Sequence, residues 1–317
     1  MRIVVLDDYQ GVAFEHGDWS RLPSDCEVHT VREHLGTDAE LLAALAGAEV
    51  VVAMRERTPF SAERLERLSD LRLLVTTGMG NAAIDTEAAA RNGITVCGTG
   101  GVATATVEHS WALILSWARL IPAEDANLRD GGWQTTVGVD LAGSTLGLVG
   151  LGRLGAAMVP VAKAFGMEVI AWSLNLDPGV AAELGARPVS KQELFREADV
   201  VSVHYKLGER STGLIGAEEL ALMKRTALLV NTSRGPIVDT AALLDALWNN
   251  RIAGAALDVY DAEPLPPEDP LRQAPRTVLT PHLGYVTANT YDVFYGDAVE
   301  DIAAFLAGDP VRVIAAP

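Results

Sequence analysis

Three apolar runs in the second half of the sequence lead into side chains that handle charge and protons. The runs cover residues 228–230, 254–257 and 278–279. Because the carboxyl ends of parallel strands open onto one crevice of a sheet, we expect the side chains that follow these runs to converge there. In chain order they are Arg234, Asp258, Glu263 and His282.

This set of side chains suits the reduction of a carbonyl group. An arginine holds a carboxylate and polarises the neighbouring carbonyl, while a histidine gives the carbonyl oxygen its proton. A glutamate bonded to that histidine fixes its tautomer. Each residue also has an ordinary explanation: Arg234 as a surface ion pair, Glu263 as a solvated loop charge, and His282 as the cap of a turn. Their occurrence together favours a catalytic site.

A glycine-rich segment at residues 147–155 follows an apolar run and opens a helical pattern. Its glycines allow a tight turn, close approach of a pyrophosphate, and close packing of the helix on the strand. The helix N-terminus, with Arg153 and Leu154, is electropositive and suits a phosphate. The segment predicts a dinucleotide-binding turn, and the alternative is an ordinary strand-to-helix turn. The G-x-G-x-x-G pattern falls at Gly150, Gly152 and Gly155.

The position that usually separates NAD from NADP is ambiguous in this sequence. NAD-binding sheets place a carboxylate there for the ribose, whereas this chain has Ser173. The missing carboxylate removes repulsion toward a 2′-phosphate, but no arginine follows immediately to attract one. Asp177 comes shortly afterwards, although its Asp-Pro-Gly context favours turn formation. The cofactor is therefore expected to be NAD or NADP, with the preference open.

The order of the apolar runs predicts an α/β fold with parallel sheets. The runs alternate with Ala- and Leu-rich amphipathic segments and are continuously apolar, as in sheets covered by helices on both faces. A chain of 317 residues with 49% hydrophobic content supports two cores. The predicted strands are residues 3–6, 50–53, 73–76, 146–149, 169–172, 200–203, 227–231, 254–259 and 277–280.

A long apolar helix pattern beginning near Thr106 separates the first three predicted strands from the others. After His282 the sequence holds a helix pattern at residues 298–307 but no further domain. We therefore expect a discontinuous substrate-binding domain, residues 1–101 and 286–317. Residues 102–285 are expected to form a dinucleotide-binding Rossmann domain.

The composition argues against several classes of protein. A net charge of -17 would repel a phosphate backbone, so no nucleic-acid partner is expected. The two cysteines, Cys26 and Cys97, are too few for a disulfide framework, which suits a reducing cytoplasm. The most apolar helical stretch, residues 111–121, is too short to span a bilayer, so no membrane partner is expected. No metal site is expected at His16, His29, His34 or His109.

Taken together, the motifs resemble those of the D-2-hydroxyacid dehydrogenase family. They occur in the family's order over essentially the whole chain, at residues 77–85, 105–109, 150–155, 231–235, 256–264 and 280–284. The resemblance implies hydride transfer between NAD(P)H and C2 of a small 2-keto or 2-hydroxy acid. It also implies a Rossmann cofactor domain, a flavodoxin-like substrate domain, and a homodimer formed through the cofactor domain.

The resemblance assigns roles to individual residues. Arg234 is expected to bind the substrate's carboxylate and carbonyl, His282 to act as acid and base, and Glu263 to support His282. Asp258 is expected to hold the carboxamide of the cofactor. Backbone N–H groups of a glycine-rich turn are expected to hold the substrate carboxylate, at Gly78, Met79 and Gly80. Further cofactor contacts are expected at Thr106, Ser173, His204 and Thr232.

Several positions leave the substrate and the function open. Arg55 and Arg57 are expected either to grip a second anionic group, as in the resembling phosphoglycerate dehydrogenases, or to be surface arginines. Those relatives often add a regulatory domain, and this sequence shows none. A simpler glyoxylate- or hydroxypyruvate-type reductase is therefore favoured. Glu263 argues against formate, because the similar formate dehydrogenases carry Gln beside their histidine.

Lys206 either approaches the adenosine or faces solvent. The remaining hypothesis is a non-catalytic, NAD(H)-sensing protein similar to the family's corepressor relatives.

Overall fold

The computed structural model describes all 317 residues, which form two compact units. The first consists of Met1–Val102 and Val286–Pro317, and the second of Ala103–Tyr285. Each unit has its own sheet, built mostly from parallel strands, so the predicted α/β class with two parallel-sheet units is confirmed. The substrate-binding and cofactor-binding roles given to the two units stay predictions at this stage.

The strands and helices alternate along almost the entire chain. The strands are β1 Arg2–Val5, β2 Glu27–Thr30, β3 Val50–Ala53, β4 Leu73–Thr76, β5 Thr95–Gly98, β6 Thr145–Val149, β7 Glu168–Trp172, β8 Arg187–Pro188, β9 Val200–Val203, β10 Leu228–Asn231, β11 Gly254–Leu257, β12 Thr277–Leu279 and β13 Val313–Ala315. The helices are α1 Ala13–His16, α2 Asp38–Ala44, α3 Ala62–Glu66, α4 Thr86–Arg91, α5 Ala103–Ala118, α6 Ile121–Arg129, α7 Arg153–Ala164, α8 Pro178–Leu184, α9 Lys191–Glu197, α10 Ala217–Leu222, α11 Thr240–Trp248 and α12 Ala288–Leu306.

The sheet of the first unit has the order β13-β5-β4-β3-β1-β2. Its five parallel strands follow the flavodoxin-like order, and β13 pairs with β5 in the antiparallel sense at one edge. Every residue of β3 and β4 is buried, as expected for central strands with packed helices on both faces. The carboxyl ends of β3 and β4 lead into the segments that contain Arg55 and Gly78.

The sheet of the second unit has the order β12-β11-β10-β9-β6-β7-β8, with every pair parallel. This order is that of a Rossmann sheet, with its topological switch between β6 and β9. Alternate residues of each strand serve opposite faces: Leu229 packs in one core, whereas Leu228 and Val230 pack in the other. No helix in either unit combines the length and apolar character that crossing a membrane requires.

Candidate active site

Three neighbouring strands of the second unit bring the predicted polar side chains together at their carboxyl ends. In the register of this sheet, Asn231 of β10 pairs with Leu257 of β11, and Leu257 pairs with Leu279 of β12. Adjacent strands are only about 4.8 Å apart, so the segments after these residues leave the sheet as neighbours. A Cβ atom on Gly235 would lie 2.1 Å from the Tyr260 carbonyl carbon. Only glycine allows the backbones after β10 and β11 to approach so closely.

The imidazole of His282 is paired with a carboxylate. Its Nδ1 lies 2.6 Å from Oε2 of Glu263, and the imidazole side chain is almost completely buried. The other carboxylate oxygen of Glu263 accepts the backbone N–H of Tyr260 at 2.9 Å. An ionised carboxylate only accepts hydrogen bonds, so Nδ1 of His282 carries a proton and donates a hydrogen bond to Glu263. Nε2 is the second ring nitrogen of His282, and its expected exchange of a proton with a substrate stays a prediction.

The backbone of His282 has a left-handed conformation, with φ of 55°. This conformation costs a residue other than glycine about 1 kcal/mol, so neighbouring contacts must stabilise it. The next two backbone N–H groups, those of Leu283 and Gly284, donate to the two oxygens of Asp258 at 2.7 and 2.8 Å. Asp258 therefore fixes the chain directly after the imidazole.

Asp258 is buried and accepts two further hydrogen bonds. Thr280 Oγ1 donates to its Oδ1 at 2.6 Å, and Nε2 of His109 lies 3.1 Å from the same oxygen. Burial alone would raise the pKa of Asp258, but these donors and the nearby imidazole together lower it below its usual value. Both carboxylate oxygens are thus used inside the unit, and the expected contact with a cofactor carboxamide stays a prediction. His109 was not recognised as part of the site from the sequence, although it stands one turn from Thr106.

The segment carrying Arg234 is shaped by Asn231. The Asn231 side chain donates to the carbonyl of Arg234 at 2.9 Å and accepts the backbone N–H of Ser233 at 3.0 Å. Arg234 is half-buried, and its Nη1 donates to the Ser233 carbonyl at 2.7 Å. A guanidinium has five donors in a planar fork, which suits a carboxylate, and the expected contact of Arg234 with a substrate stays a prediction.

The glycine loop fits a dinucleotide pyrophosphate. Gly150 has φ of 99°, and a Cβ atom there would lie 2.5 Å from the carbonyl oxygen of His204. A Cβ on Gly155 would lie 2.1 Å from the carbonyl oxygen of Gly150, whereas one on Gly152 would meet nothing within 4 Å. Gly152 is the N-cap of α7 and has no side chain to cap the helix, so the first N–H groups of α7 are open to an anion.

The other residues expected to contact the cofactor each have a protein partner. Ser173 Oγ accepts the N–H of Leu151 at 3.2 Å, which supports the glycine loop from the end of β7. Thr106 Oγ1 donates to the carbonyl of Gly284 at 3.0 Å, and the Thr232 hydroxyl lies 2.8 Å from that of Ser110. Their cofactor contacts stay predictions.

His204 borders the glycine loop and pairs with Ser202, whose hydroxyl lies 2.9 Å from its Nε2. Burial lowers the pKa of His204 to about 4, so the imidazole is neutral at physiological pH. Asp177 caps α8 by accepting the N–H groups of Gly179 and Val180, which agrees with its turn interpretation. Lys206 is exposed. These residues leave the choice between NAD and NADP open.

In the first unit, Arg55 lies beside the turn after β4. Its backbone N–H donates to Thr77 Oγ1 at 2.9 Å, and its guanidinium donates to the Thr77 carbonyl at 3.1 Å. The N–H of Gly78 donates to Thr99 Oγ1 at 2.8 Å, so this group already has a protein partner, and its expected contact with a substrate stays a prediction. The backbones of the exposed Met79 and Gly80 make no hydrogen bond within the protein and are left to bind an anion.

A carboxylate accompanies Arg55. Glu56 Oε2 lies 3.8 Å from Arg55 Nε, and both side chains are about four-fifths buried. The pair lowers the local positive charge that a second anionic group would need. Arg57 is buried rather than placed on the surface. Across both units, no group of three or more His, Cys, Asp or Glu side chains is arranged to hold a metal ion.

Comparison with known proteins gives consistent matches. Residues 111–284 match the family described as D-isomer specific 2-hydroxyacid dehydrogenase, NAD binding domain. The chain is 42% identical to a glyoxylate reductase of Aeropyrum pernix over 254 residues, which cover 77% of this chain and 76% of that protein.

Two further relatives carry names that refer to phosphoglycerate. A D-3-phosphoglycerate dehydrogenase of Mycobacterium tuberculosis is 37% identical over 274 residues, which cover 85% of this chain and 51% of that protein. The crystal structure of a phosphoglycerate oxidoreductase from Vibrio cholerae o395 superimposes with a TM-score of 0.93 at 34% identity. That superposition covers 97% of this chain and 99% of the other.

Proposed function

Because the chain belongs to the D-isomer specific 2-hydroxyacid dehydrogenase family and is an NAD(P)-dependent oxidoreductase, we propose that it reduces short, unphosphorylated 2-keto acids, with glyoxylate and hydroxypyruvate preferred. The observation that carries the proposal is the 2.6 Å contact between His282 and Glu263 at the edge of the Rossmann sheet. The name of the Aeropyrum pernix relative supports the substrate class.

In the proposed reaction, His282 supplies the proton. The bound nicotinamide provides the hydride that C2 of the keto acid receives. Imidazolium Nε2–H of His282 gives its proton to the carbonyl oxygen, which becomes the hydroxyl, and the imidazole is left neutral. Glu263 stabilises the imidazolium before transfer and keeps the remaining proton on Nδ1. General acid catalysis of this kind contributes about 10²- to 10⁴-fold to a rate.

Within the second unit, Arg234 is proposed to bind the substrate carboxylate. The planar guanidinium of Arg234 offers two parallel N–H donors to a carboxylate and also polarises the adjacent carbonyl. Within the first unit, we assign binding of a carboxylate to the N–H groups of Met79 and Gly80. All 2-keto acids carry a carboxylate, so these donors do not select the rest of the molecule.

Selection against a phosphate is assigned to the Arg55–Glu56 pair. The carboxylate of Glu56 offsets the guanidinium charge and repels a dianion. The alternative substrate, 3-phosphoglycerate or its keto form, is supported by Arg55 itself and by the name of the Mycobacterium tuberculosis relative. That relative is almost twice as long as the part matched here, so its whole activity transfers only as a hypothesis.

A spectrophotometric assay at 340 nm tests the proposal. Purified protein is mixed with NADH or NADPH and with glyoxylate, hydroxypyruvate, pyruvate, 3-phosphohydroxypyruvate and a branched 2-keto acid. We expect kcat/KM of at least about 10⁴ M⁻¹s⁻¹ for glyoxylate or hydroxypyruvate, and a lower value for the phosphorylated acid. Cofactor binding without turnover of any acid would favour the non-catalytic sensor.

We also infer a homodimer formed through the second unit, located in the cytoplasm. Large apolar side chains are exposed on and after α6, among them Trp133 at 73% and Val137 at 93% exposure. Exposed apolar groups clustered in one segment are typical of an interaction surface. Sedimentation of the wild type and of a Val137→Glu variant tests the dimer: the wild type is expected at twice the monomer mass and the variant at the monomer mass.

A further inference from the structure

The first turns of α5 hold the segment that carries His282 at two points. Thr106 Oγ1 donates to the carbonyl of Gly284, and Nε2 of His109 lies 3.0 Å from Thr280 Oγ1 and 3.1 Å from Asp258 Oδ1. Thr106 and His109 are three residues apart on one helix, so their side chains project from the same face. The helix therefore contacts the segment both before and after His282.

The proton positions in this network follow from its acceptors. Asp258 is ionised because its pKa lies below the usual value, so it only accepts hydrogen bonds. Thr280 has a single hydroxyl proton and gives it to Asp258 at 2.6 Å. Nε2 of His109 must then be the donor, and its N–H is shared between the Asp258 and Thr280 oxygens. The imidazole thus ties two acceptors together in either of its protonation states.

We propose that His109 is a positioning residue for the proton transfer by His282. It orients the carboxylate of Asp258 and the side chain of Thr280. Through Asp258 it fixes the N–H groups of Leu283 and Gly284, and so the left-handed backbone that aims the imidazole of His282. The inference rests on the proposed function only for its catalytic consequence, since the hydrogen-bond network exists whatever the substrate is.

The chemistry of the network explains why a polar donor is needed at this position. None of the Asp258 partners is an arginine or a lysine, and His109 is the one titratable group among them. An apolar replacement would leave a buried carboxylate with one donor fewer, and the carboxylate would turn toward water or another donor. A shift of about 1 Å in a catalytic group lowers a rate by up to about 10²-fold. A glutamine places an N–H near the position of Nε2 and should restore the contact.

Steady-state kinetics of two variants distinguishes a positioning role of His109 from a role that depends only on the size of its side chain. With the best 2-keto acid and saturating cofactor, His109→Leu is expected to lower kcat by about 10- to 100-fold while KM stays within about 3-fold. His109→Gln is expected to stay within about 5-fold of the wild-type kcat. The matched controls are His29→Leu and His29→Gln, at an exposed histidine of the first unit, and both should behave as wild type. Equal losses of kcat in the two His109 variants, or an unchanged kcat in His109→Leu, would overturn the proposal.

Hydrogen exchange provides a readout that needs no activity. In His109→Leu, the peptide covering residues 280–285 is expected to exchange at least about 10-fold faster, because the Leu283 and Gly284 amides lose a fixed acceptor. In His109→Gln the same peptide should exchange as in the wild type. An unchanged peptide in His109→Leu would overturn the proposal, and so would faster exchange spread over the whole second unit. These outcomes remain readable even if the wild type reduces none of the keto acids.

Discussion

The two units use the ends of their strands in different ways. In the second unit, side chains join the segments after β11 and β12, with Glu263 bonded to His282 and Asp258 to Thr280, and His109 of α5 also contacts Asp258. In the first unit, the turn after β4 offers mainly backbone N–H groups, at Met79 and Gly80. The carboxyl end of the second unit's sheet thus carries a network of side chains that hold one another in place. The carboxyl end of the first unit's sheet carries a turn whose binding groups belong to the main chain.

This difference separates chemistry from recognition. Proton transfer requires an imidazole held in one tautomer and one direction, which side-chain partners with good geometry provide. A carboxylate is bound well by backbone N–H groups of any sequence that folds into the turn. Changes in the second unit should therefore alter kcat most strongly. Changes at Arg55 and Glu56 in the first unit should alter which acid is preferred.

The largest expected effect is that of His282→Ala. Loss of the imidazole removes the proton donor, so kcat/KM with the best keto acid should fall by about 10²- to 10⁴-fold. Affinity for NADH, measured by titration of its fluorescence, should change by less than about 3-fold, because the glycine loop binds the pyrophosphate without His282. A protein whose turnover survives this change does not use His282 as its acid, and the contrast between the two units would lose its basis.

A smaller loss is expected for Glu263→Gln. The amide oxygen still accepts a hydrogen bond from Nδ1 of His282 but no longer stabilises the charged imidazolium, so kcat should fall by about 10- to 100-fold. KM for the keto acid should stay within about 3-fold, because Arg234 retains its contacts. Glu268→Gln, in the same exposed loop region, is the control and should leave kcat unchanged. A rise in KM with constant kcat would instead make Glu263 a substrate-binding residue.

A third expected effect concerns stability and lies beside the glycine loop. Burial lowers the pKa of His204 to about 4, below its value of about 6.5 in an unfolded chain. Because the folded pKa is the lower one, the stability contributed by the neutral imidazole is complete above pH 6.5. It is lost progressively as the pH falls to about 4. The total loss is on the order of 2 kcal/mol for this half-buried group.

The variant His204→Gln tests this pH dependence, because glutamine does not titrate. Urea unfolding of the two proteins should show their stabilities converging or crossing as the pH is lowered from 7.5 to 4. All other titrating groups are shared, so they cancel in the difference. Parallel curves over this interval would show that His204 is not neutral in the fold at the lower pH values.

The group of polar side chains at the carboxyl end of the second sheet was predictable from the sequence because these side chains follow apolar runs. His282, Glu263 and Arg234 each stand out from the strand that precedes them. His109 did not, since one polar residue at the start of an amphipathic helix looks like part of its solvent-facing side. Its partners, Asp258 and Thr280, are 149 and 171 residues away in the chain, and no local pattern links them.

The strands with continuous apolar runs were predicted from the sequence, and β2, β5, β8 and β13 were missed. The buried strands β3, β4, β9 and β10 are continuous apolar runs. By contrast, β2 alternates exposed and half-buried residues, and β8 has only two residues. The strand β13 follows α12 and joins the sheet through β5, a pairing that depends on tertiary contacts. The strand β5 is buried and internal but was also missed, because Thr95, Cys97 and Gly98 leave it without a continuous apolar run.

The smallest expected effect tests the recognition side, with the substitution Glu56→Gln. Removing the carboxylate 3.8 Å from Arg55 leaves the guanidinium charge less compensated, so a phosphate should be repelled less. The ratio of kcat/KM for 3-phosphohydroxypyruvate to that for hydroxypyruvate should rise by about 3- to 10-fold, and the rise should shrink at high salt. The control is Glu63→Gln, an exposed residue of α3 that should leave the ratio unchanged. An equal rise in both variants would indicate a general effect of net charge, and no rise in Glu56→Gln would remove Arg55 and Glu56 from substrate selection.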